Sequence, residues 1–437
     1  MIRFTLTALI AAAAFAAPLT ATAAAKIQRV VSPGGIEAWL VEEPAIPIVA
    51  IEVSFDGGSV LDPEGKEGVA NLMMGLLEEG AGDLNAVGFA QAADEIAARL
   101  GFSSGRESVS LSLRSLKENL NETVDLMRLA ITQPRFDEEP VARVKAQIIS
   151  SIKSSETDPN SIASKAFYEA AFPDDPYGRP SSGTEESVTA LTVEDLKTAR
   201  EVLLNVVAAH IGVVGDISAE ELAPLLDRLL GDLRNEPATE LPKVEFKGAP
   251  GVTVIDLDVP QSVATFGHKG ILRDDPDFIT AYVVNYILGG GGFSSRLTTE
   301  VREKRGLSYS VYSYLFPMDR AGMYLGGVAT ANASMKDSIA VIQDEWRKMA
   351  EEGVSEEELR KAKRYLTGAY ALRFDSNSKI ANILVGVQAA GLPIDYTETR
   401  NSLVEAVTLE DVKRVAARLL RPDELSIVVV GRPEGLE

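Results

Sequence analysis

LTVEDLKTAR at residues 191–200 leads into AAHIGVVGD at 208–216, and the pattern returns as VTLEDVKRVA at 407–416 and LSIVVVG at 425–431. Thr192 matches Thr408, Glu194 matches Glu410, Asp195 matches Asp411 and Gly215 matches Gly431, all at one spacing. A second echo pairs FDEEPVARVK from Phe136 with VSEEELRKAK from Val354 at nearly that spacing. Two ordered motifs at one offset point to an internal duplication. Each echo has a local meaning. A threonine at the start of the pattern, followed by acidic residues in the first turn, predicts a capped helix with its positive end neutralised. The apolar runs His210–Val214 and Leu425–Val430 predict buried strands.

Working outward, further strands are expected at IVAIEVSF from Ile48, SVSLSLRS from Ser108, VTVIDLD from Val252 and MYLGGVAT from Met323. SVSLSLRS alternates cleanly, which gives it one buried and one polar face. Amphipathic helical patterns separate these segments. The stretch DLRNEPATELPKVEFKGAP, Asp232–Pro250, mixes prolines with alternating charges and lacks helical periodicity, as a linker does. The expected fold is α+β: two tandem homologous domains, each a mainly antiparallel sheet with helices packed on it. The expected divisions are a signal peptide at 1–25, an N-terminal domain at 26–231, a linker at 232–250 and a C-terminal domain at 251–437.

Length and composition narrow the function. A chain of 437 residues is long for one core. Its formal net charge of −21 argues against a nucleic-acid partner, because that binding rests on a basic face. The absence of cysteine excludes disulfides, thiolate zinc sites and thiol catalysis. MIRFTLTALIAAAAFAAPLTATAAAK has a basic residue, a short apolar run and small-residue cleavage sites. It reads as a secretory signal rather than an ordinary N-terminal helix, so the mature chain is expected to be exported, periplasmic or secreted, with no membrane span.

KEGVANLMMGLLEEG, Lys66–Gly80, places Val69, Leu72, Met73, Leu76 and Leu77 on one helical face and Asn71, Met74, Gly75 and Glu78 on the other. On periodicity alone this is a helix packed on both sides, with Gly75 permitting a close approach. The longer run GGSVLDPEGKEGVANLMMGLLEEGAG, with GRESVSLSLRSLKENL and QPRFDEE after it, resembles the pitrilysin and mitochondrial-processing-peptidase family of zinc peptidases. The likeness spans nearly the whole mature chain, about Ile27–Gly431. In active members this helix carries H-x-x-E-H: two zinc ligands and a glutamate that activates water. The matching residues here are Asn71, Met74 and Gly75, and the family's third ligand falls near Ser150 in VKAQIISSIK. The resemblance therefore implies no zinc and no cofactor in this chain.

The family's second signature is preserved. LGGGGFSSRLTTEVREKRGLSYSVYS, residues 288–313, supplies an arginine and a tyrosine seven apart, matching Arg302 and Tyr309. In active members this pair reaches the substrate held at the zinc, and a guanidinium and a phenol are suitable donors to a carbonyl oxygen gaining negative charge. Charge pattern alone leaves a plainer alternative, with Arg302 paired to Glu300 or Glu303 and Tyr309 half-buried. No Gly-Lys-Ser/Thr follows the glycines, so a phosphate loop is disfavoured and a tight turn is simpler. His210 and His268 read as structural histidines. The resemblance implies the non-zinc subunit of a heterodimeric peptidase. Its partner would be a homologous H-x-x-E-H chain that holds the zinc. Arg302 and Tyr309 would act on peptide substrates, and SVSLSLRS would serve as a sheet edge for an extended peptide. The alternative is a non-enzymatic peptide-binding or scaffold protein on the same fold.

Overall fold

A computed structural model describes residues 26–237 and 241–436. The expected signal segment, 1–25, lies outside the described residues. The first sheet comprises β1 (Gln28–Val31), β2 (Glu37–Glu42), β3 (Ile48–Asp56), β6 (Arg99–Ser104), β7 (Ser108–Leu116) and β8 (Ala209–Gly215), in the order β1-β2-β8-β3-β7-β6. A two-residue hairpin, β4 (Gly80–Ala81) and β5 (Leu84–Asn85), stands apart from it. The second sheet comprises β9 (Gly251–Ile255), β10 (Gln261–Lys269), β11 (Ser310–Pro317), β12 (Gly322–Ala331) and β13 (Ser426–Val430), in the order β11-β12-β10-β13-β9. Apart from β1, the two orders are the same topology. In each sheet one pair is parallel, β2 with β8 and β9 with β13, and the other pairings are antiparallel. The α+β duplication read from the echoes is the observed fold.

The echoed threonines do what their chemistry dictates. Thr192 caps the helix Val193–Leu203, accepting from the Asp195 N–H while the Asp195 carboxylate accepts from the Thr192 N–H. Thr408 and Asp411 make the same reciprocal pair on the helix Leu409–Leu419. Such capping is worth about 1 kcal/mol each.

SVSLSLRS buries Val109, Leu111 and Leu113 on alternate positions, as its pattern requires. It is not a sheet edge, however. β7 pairs with β3 on one side and β6 on the other, so β6 is the free edge. Alternation reports which face is buried and carries no information on lateral neighbours. The helix expected over Lys66–Gly80 is also shorter, Val69–Gly75. Gly75, a poor helix former, is its last residue, and the chain then turns into β4.

One side of each sheet is covered by helices of its own half, forming two separate cores around Phe55 and Leu72 and around Phe266 and Trp346. The other side is covered from the opposite half. The helix Pro159–Ala171 packs on β10 and β13, with Phe167 and Ala163 among Met323, Leu325, Val428 and Val430. Its counterpart, the helix Asn377–Ala389, packs on β8 and β3, with Ala381, Leu384 and Val387 against Trp39, Val41 and Val214. The Gln388 amide closes the second contact, donating to the Ile211 carbonyl (2.9 Å) and accepting from the Ile211 N–H (3.3 Å). A third tie is the buried Arg320, whose guanidinium meets Asp175 (3.0 Å) and the Pro242 carbonyl (2.7 Å).

Two residues make the exchanged contact sensitive. A Cβ on Gly212 would lie 2.3 Å from the Ala381 carbonyl oxygen, so β8 touches the incoming helix backbone to backbone. Glu52 on β3 is buried beneath the same helix, and burial pushes its carboxyl up to about 7 against hydrogen bonds from Ser378 and Asn382. Gly212→Val is expected to destabilise the chain by about 1–3 kcal/mol in urea unfolding, through overpacking. Because the native state holds the Glu52 proton more tightly than the unfolded chain does, stability falls as pH rises from the ordinary glutamate value of 4.5 to about 7. Glu52→Gln should therefore raise the Tm at pH 8 and leave it nearly unchanged at pH 4.

Candidate functional site

At the start of the Val69–Gly75 helix, Gly68 takes a left-handed conformation (φ 90°). The buried Asp62 accepts from the N–H groups of Gly68 (2.7 Å) and Ala70 (3.2 Å). Burial pushes the Asp62 carboxyl up to about 7, with those two N–H bonds opposing the rise. The helix is thus firmly capped. Its outward positions are chemically blank. Met74 is 1% exposed, packed rather than presented, and Asn71 is half-buried. A side chain at position 75 would meet Val144 of the helix Glu138–Ser155, at 3.6 Å. Ser150 of that helix is exposed. An amide, a thioether, a glycine and an exposed serine do not fit zinc, which needs imidazole, thiolate or carboxylate donors. Among the described residues no three His, Asp or Glu side chains converge in a way that could hold a metal ion.

The second-domain stretch is built differently. The helix Phe278–Asn285 widens at Tyr286–Gly290 into wider-than-α hydrogen bonding, and a second wide turn covers Thr298–Glu303. Such widened turns recur at functional sites because they shift side chains off the regular helical positions. Gly289 allows the first turn to lie against β11, since a Cβ there would sit 2.3 Å from the Ser313 hydroxyl. Gly306, at φ 63°, ends the second turn. Its N–H donates to the Arg302 carbonyl and the Leu307 N–H to the Val301 carbonyl, both at 2.9 Å. That reversal brings Tyr309 back over Arg302.

Arg302 stands between two aromatic rings. Its guanidinium carbon lies 4.9 Å from the Tyr309 ring centre and 4.8 Å from that of Phe293. Tyr309 is 82% exposed and Phe293 72% exposed. Among the described residues Arg302 makes no ion pair, because Glu300 is taken by Lys304 (2.6 Å) and Arg305 (2.7 Å). The plain charge-pair alternative is therefore not what the fold adopts with Glu300. The rings steady the cation without consuming its N–H donors. Phe293 is the member of this cluster that the sequence spacing does not reveal. Its only sign is a large apolar residue directly after four glycines, where no core helix or strand is expected. Both histidines are structural. His268 is buried between Tyr324 and Trp346, donates from Nδ1 to the Lys269 carbonyl and accepts from the Trp346 indole, and burial lowers it to about 4. His210 pairs with Asp56 at 3.0 Å.

Arg296, earlier in the stretch, is an anchor. Arg296 reaches Glu358 with two hydrogen bonds (2.7 and 3.0 Å) and the Gly353 carbonyl (3.0 Å), tying the glycine turn to the helix Glu356–Gly368. Burial works against the Glu358 charge, but Arg296 together with the Ser355 N–H and hydroxyl hold its carboxyl down at about 2. A depressed carboxyl stabilises above its ordinary value of 4.5 and loses that contribution as pH falls toward 2. Glu358→Gln should lower the Tm at pH 6, and the gap to the unaltered chain should narrow steadily as the buffer is taken to pH 2.5.

Comparison with known proteins finds a match for each half of the chain. The model of the M16 peptidase inactive domain matches residues 190–366, and the insulinase-type M16 peptidase model matches residues 38–185. A Helicobacter pylori protein called non-peptidase homolog YmxG is 27% identical over 392 residues, covering 89% of this chain and 90% of that one. A Mycobacterium leprae protein named as a zinc protease is 28% identical over 408 residues, covering 92% and 91%. The crystal structure of a peptidase M16 inactive domain from Pseudomonas fluorescens superposes with a TM-score of 0.87 at 28% identity, covering 94% of this chain and all of that one.

Proposed function

Because the chain belongs to the M16 peptidase family as an inactive member, we propose that it is the non-zinc subunit of an exported heterodimeric peptidase. Its partner would be a homologous chain carrying H-x-x-E-H and the zinc. On this reading the metal chemistry belongs to the partner. This chain binds and orients the peptide, with the Arg302 guanidinium and the Tyr309 phenol donating hydrogen bonds to a backbone carbonyl oxygen of the substrate. The observation that carries the reading is the contrast between the two halves. Asn71, Met74 and Gly75 offer nothing to a metal. Arg302 and Tyr309 are held together by local turns, Tyr309 is exposed and Arg302 half-buried, and among the described residues Arg302 has no carboxylate partner. The apolar, small-residue segment 1–25 supports export, which in a bacterium means the periplasm.

A second reading, a non-enzymatic peptide-binding or scaffold protein, draws support from the likeness to a protein named as a non-peptidase homolog. One experiment separates them. The tagged mature chain is purified with its stoichiometric partner and assayed on unstructured peptides, alone and as the complex. The subunit reading expects hydrolysis only by the complex. It also expects Arg302→Ala or Tyr309→Phe to lower kcat/KM by roughly 100–1000-fold, the usual effect of losing one such donor, without dissociating the complex. Full activity in both variants, or recovery of the chain only with itself, would favour the scaffold reading.

A further inference from the structure

A cavity of about 700 Å³ opens in the second half, between the helices Phe278–Asn285, Asn377–Ala389 and Tyr396–Ala406. It lies away from the Arg302 cluster, and none of its lining residues belongs to the 289–315 stretch. Its chemistry is unusual for a chain of net charge −21. Four cationic side chains line it: Arg273, Arg373, Lys379 and Arg400. Among the described residues only Lys379 has a carboxylate partner, Asp375 at 2.7 Å.

On the adjacent loop, Asp275 and Asp277 pair with Arg418 (2.6 Å) and Arg414 (2.8 Å). Arg273, two residues away, receives no carboxylate. It lies 4.2 Å over the Phe278 ring and donates to the Tyr396 hydroxyl at 2.8 Å. Arg400 is only 5% exposed, yet its hydrogen bonds go to neutral acceptors, the Leu366 carbonyl (2.7 Å) and the Asn401 amide oxygen (2.9 Å). The faces of Tyr370 (4.5 Å) and Tyr282 (5.5 Å) flank it. A buried guanidinium without a counter-charge is costly, and guanidinium donors in a fixed fork suit the paired oxygens of a carboxylate or phosphate. Ile383, Val387 and Leu392 give the same cavity an apolar wall.

We infer that this cavity is a binding site for an oxyanion carrying an aromatic body, with Arg273 and Arg400 engaging the anion and the tyrosine and aliphatic walls receiving the ring. A peptide C-terminal carboxylate and an aryl phosphate share this chemistry. The site stands independently of the peptide role proposed for Arg302 and Tyr309. Because the helix Asn377–Ala389 both lines the cavity and covers the first sheet, an occupant also braces the contact between the halves.

Isothermal titration calorimetry on the intact mature chain tests this, with N-acetyl-L-phenylalanine, its neutral amide and phenyl phosphate as probes. Saturable binding of at least one anion is expected, with the amide at least tenfold weaker than N-acetyl-L-phenylalanine if the carboxylate is the ligand. The tighter of the two anions assigns the source, a peptide terminus or a phosphate ester. Arg273→Gln should weaken that anion about tenfold or more, the usual effect of removing a charge-assisted hydrogen bond. Should that variant fail to fold by circular dichroism, the exposed rim pair Arg373→Gln and Lys379→Gln replaces it, with a several-fold weakening expected. Absence of saturable binding by both anions, equal binding of the neutral amide and both anions, or unchanged anion affinity in a folded Arg273→Gln chain and in the rim variant, would each overturn the assignment.

Discussion

The structure depends on an exchange. Each half supplies a helix to cover the sheet of the other, Pro159–Ala171 onto β10 and β13, and Asn377–Ala389 onto β8 and β3. A β-sheet with helices on one face leaves its second face to be buried elsewhere. Here neither half can finish its own sandwich, so each is completed only when the other is folded. The close backbone approach at Gly212, the Gln388 amide clasping Ile211 and the buried Arg320–Asp175 pair are consequences of that one requirement. The exchanged contacts are largely apolar and tightly packed, which joins the two duplicated halves through their cores as well as through the linker.

That coupling also explains how the two candidate sites relate to the frame. The Arg302 cluster is built almost wholly from local turns: a widened helix, a glycine pressed against β11 and a left-handed reversal at Gly306. The Arg296–Glu358 pair then fixes the whole stretch to the helix behind it. What it presents to solvent is a cation held between rings with its donors unspent by Glu300, a different condition from the many arginines of this chain that are paired with aspartate or glutamate. The cavity of Arg273 and Arg400 repeats that condition by another route, using ring faces and neutral acceptors from three helices. In a chain with a large excess of acid, leaving these guanidinium groups without carboxylates is a departure from the local electrostatic norm.

The first-half helix shows the opposite outcome. Its cap is retained in full, with Asp62 buried under two backbone N–H groups. Its outward positions serve packing: Met74 is buried and Gly75 faces Val144. A short helix that displays no metal ligands can still be required for the core, since Leu72 and Met73 are fully buried on its inner side.

Much of this was written in the sequence. The duplicated capping motifs, with Thr192 and Asp195 echoed by Thr408 and Asp411, fixed the tandem architecture, because a cap is a local interaction among residues three apart. The alternation of β7 and the apolar runs of β8 and β13 were legible for the same reason. The seven-residue spacing of Arg302 and Tyr309 was legible as well, and the fold brings the two side chains together. The central strand β10, QSVATFGHK, is buried on both faces, so it reads as an apolar run around His268 and shows no alternation. Lateral order was equally hidden, so that β6 and not β7 is the free edge, and so were the exchange of helices, the place of Phe293 beside Arg302 and the gathering of Arg273 with Arg400. These are contacts between residues far apart along the chain. A one-dimensional pattern records which side of an element is apolar, and only the packed chain decides what that side meets.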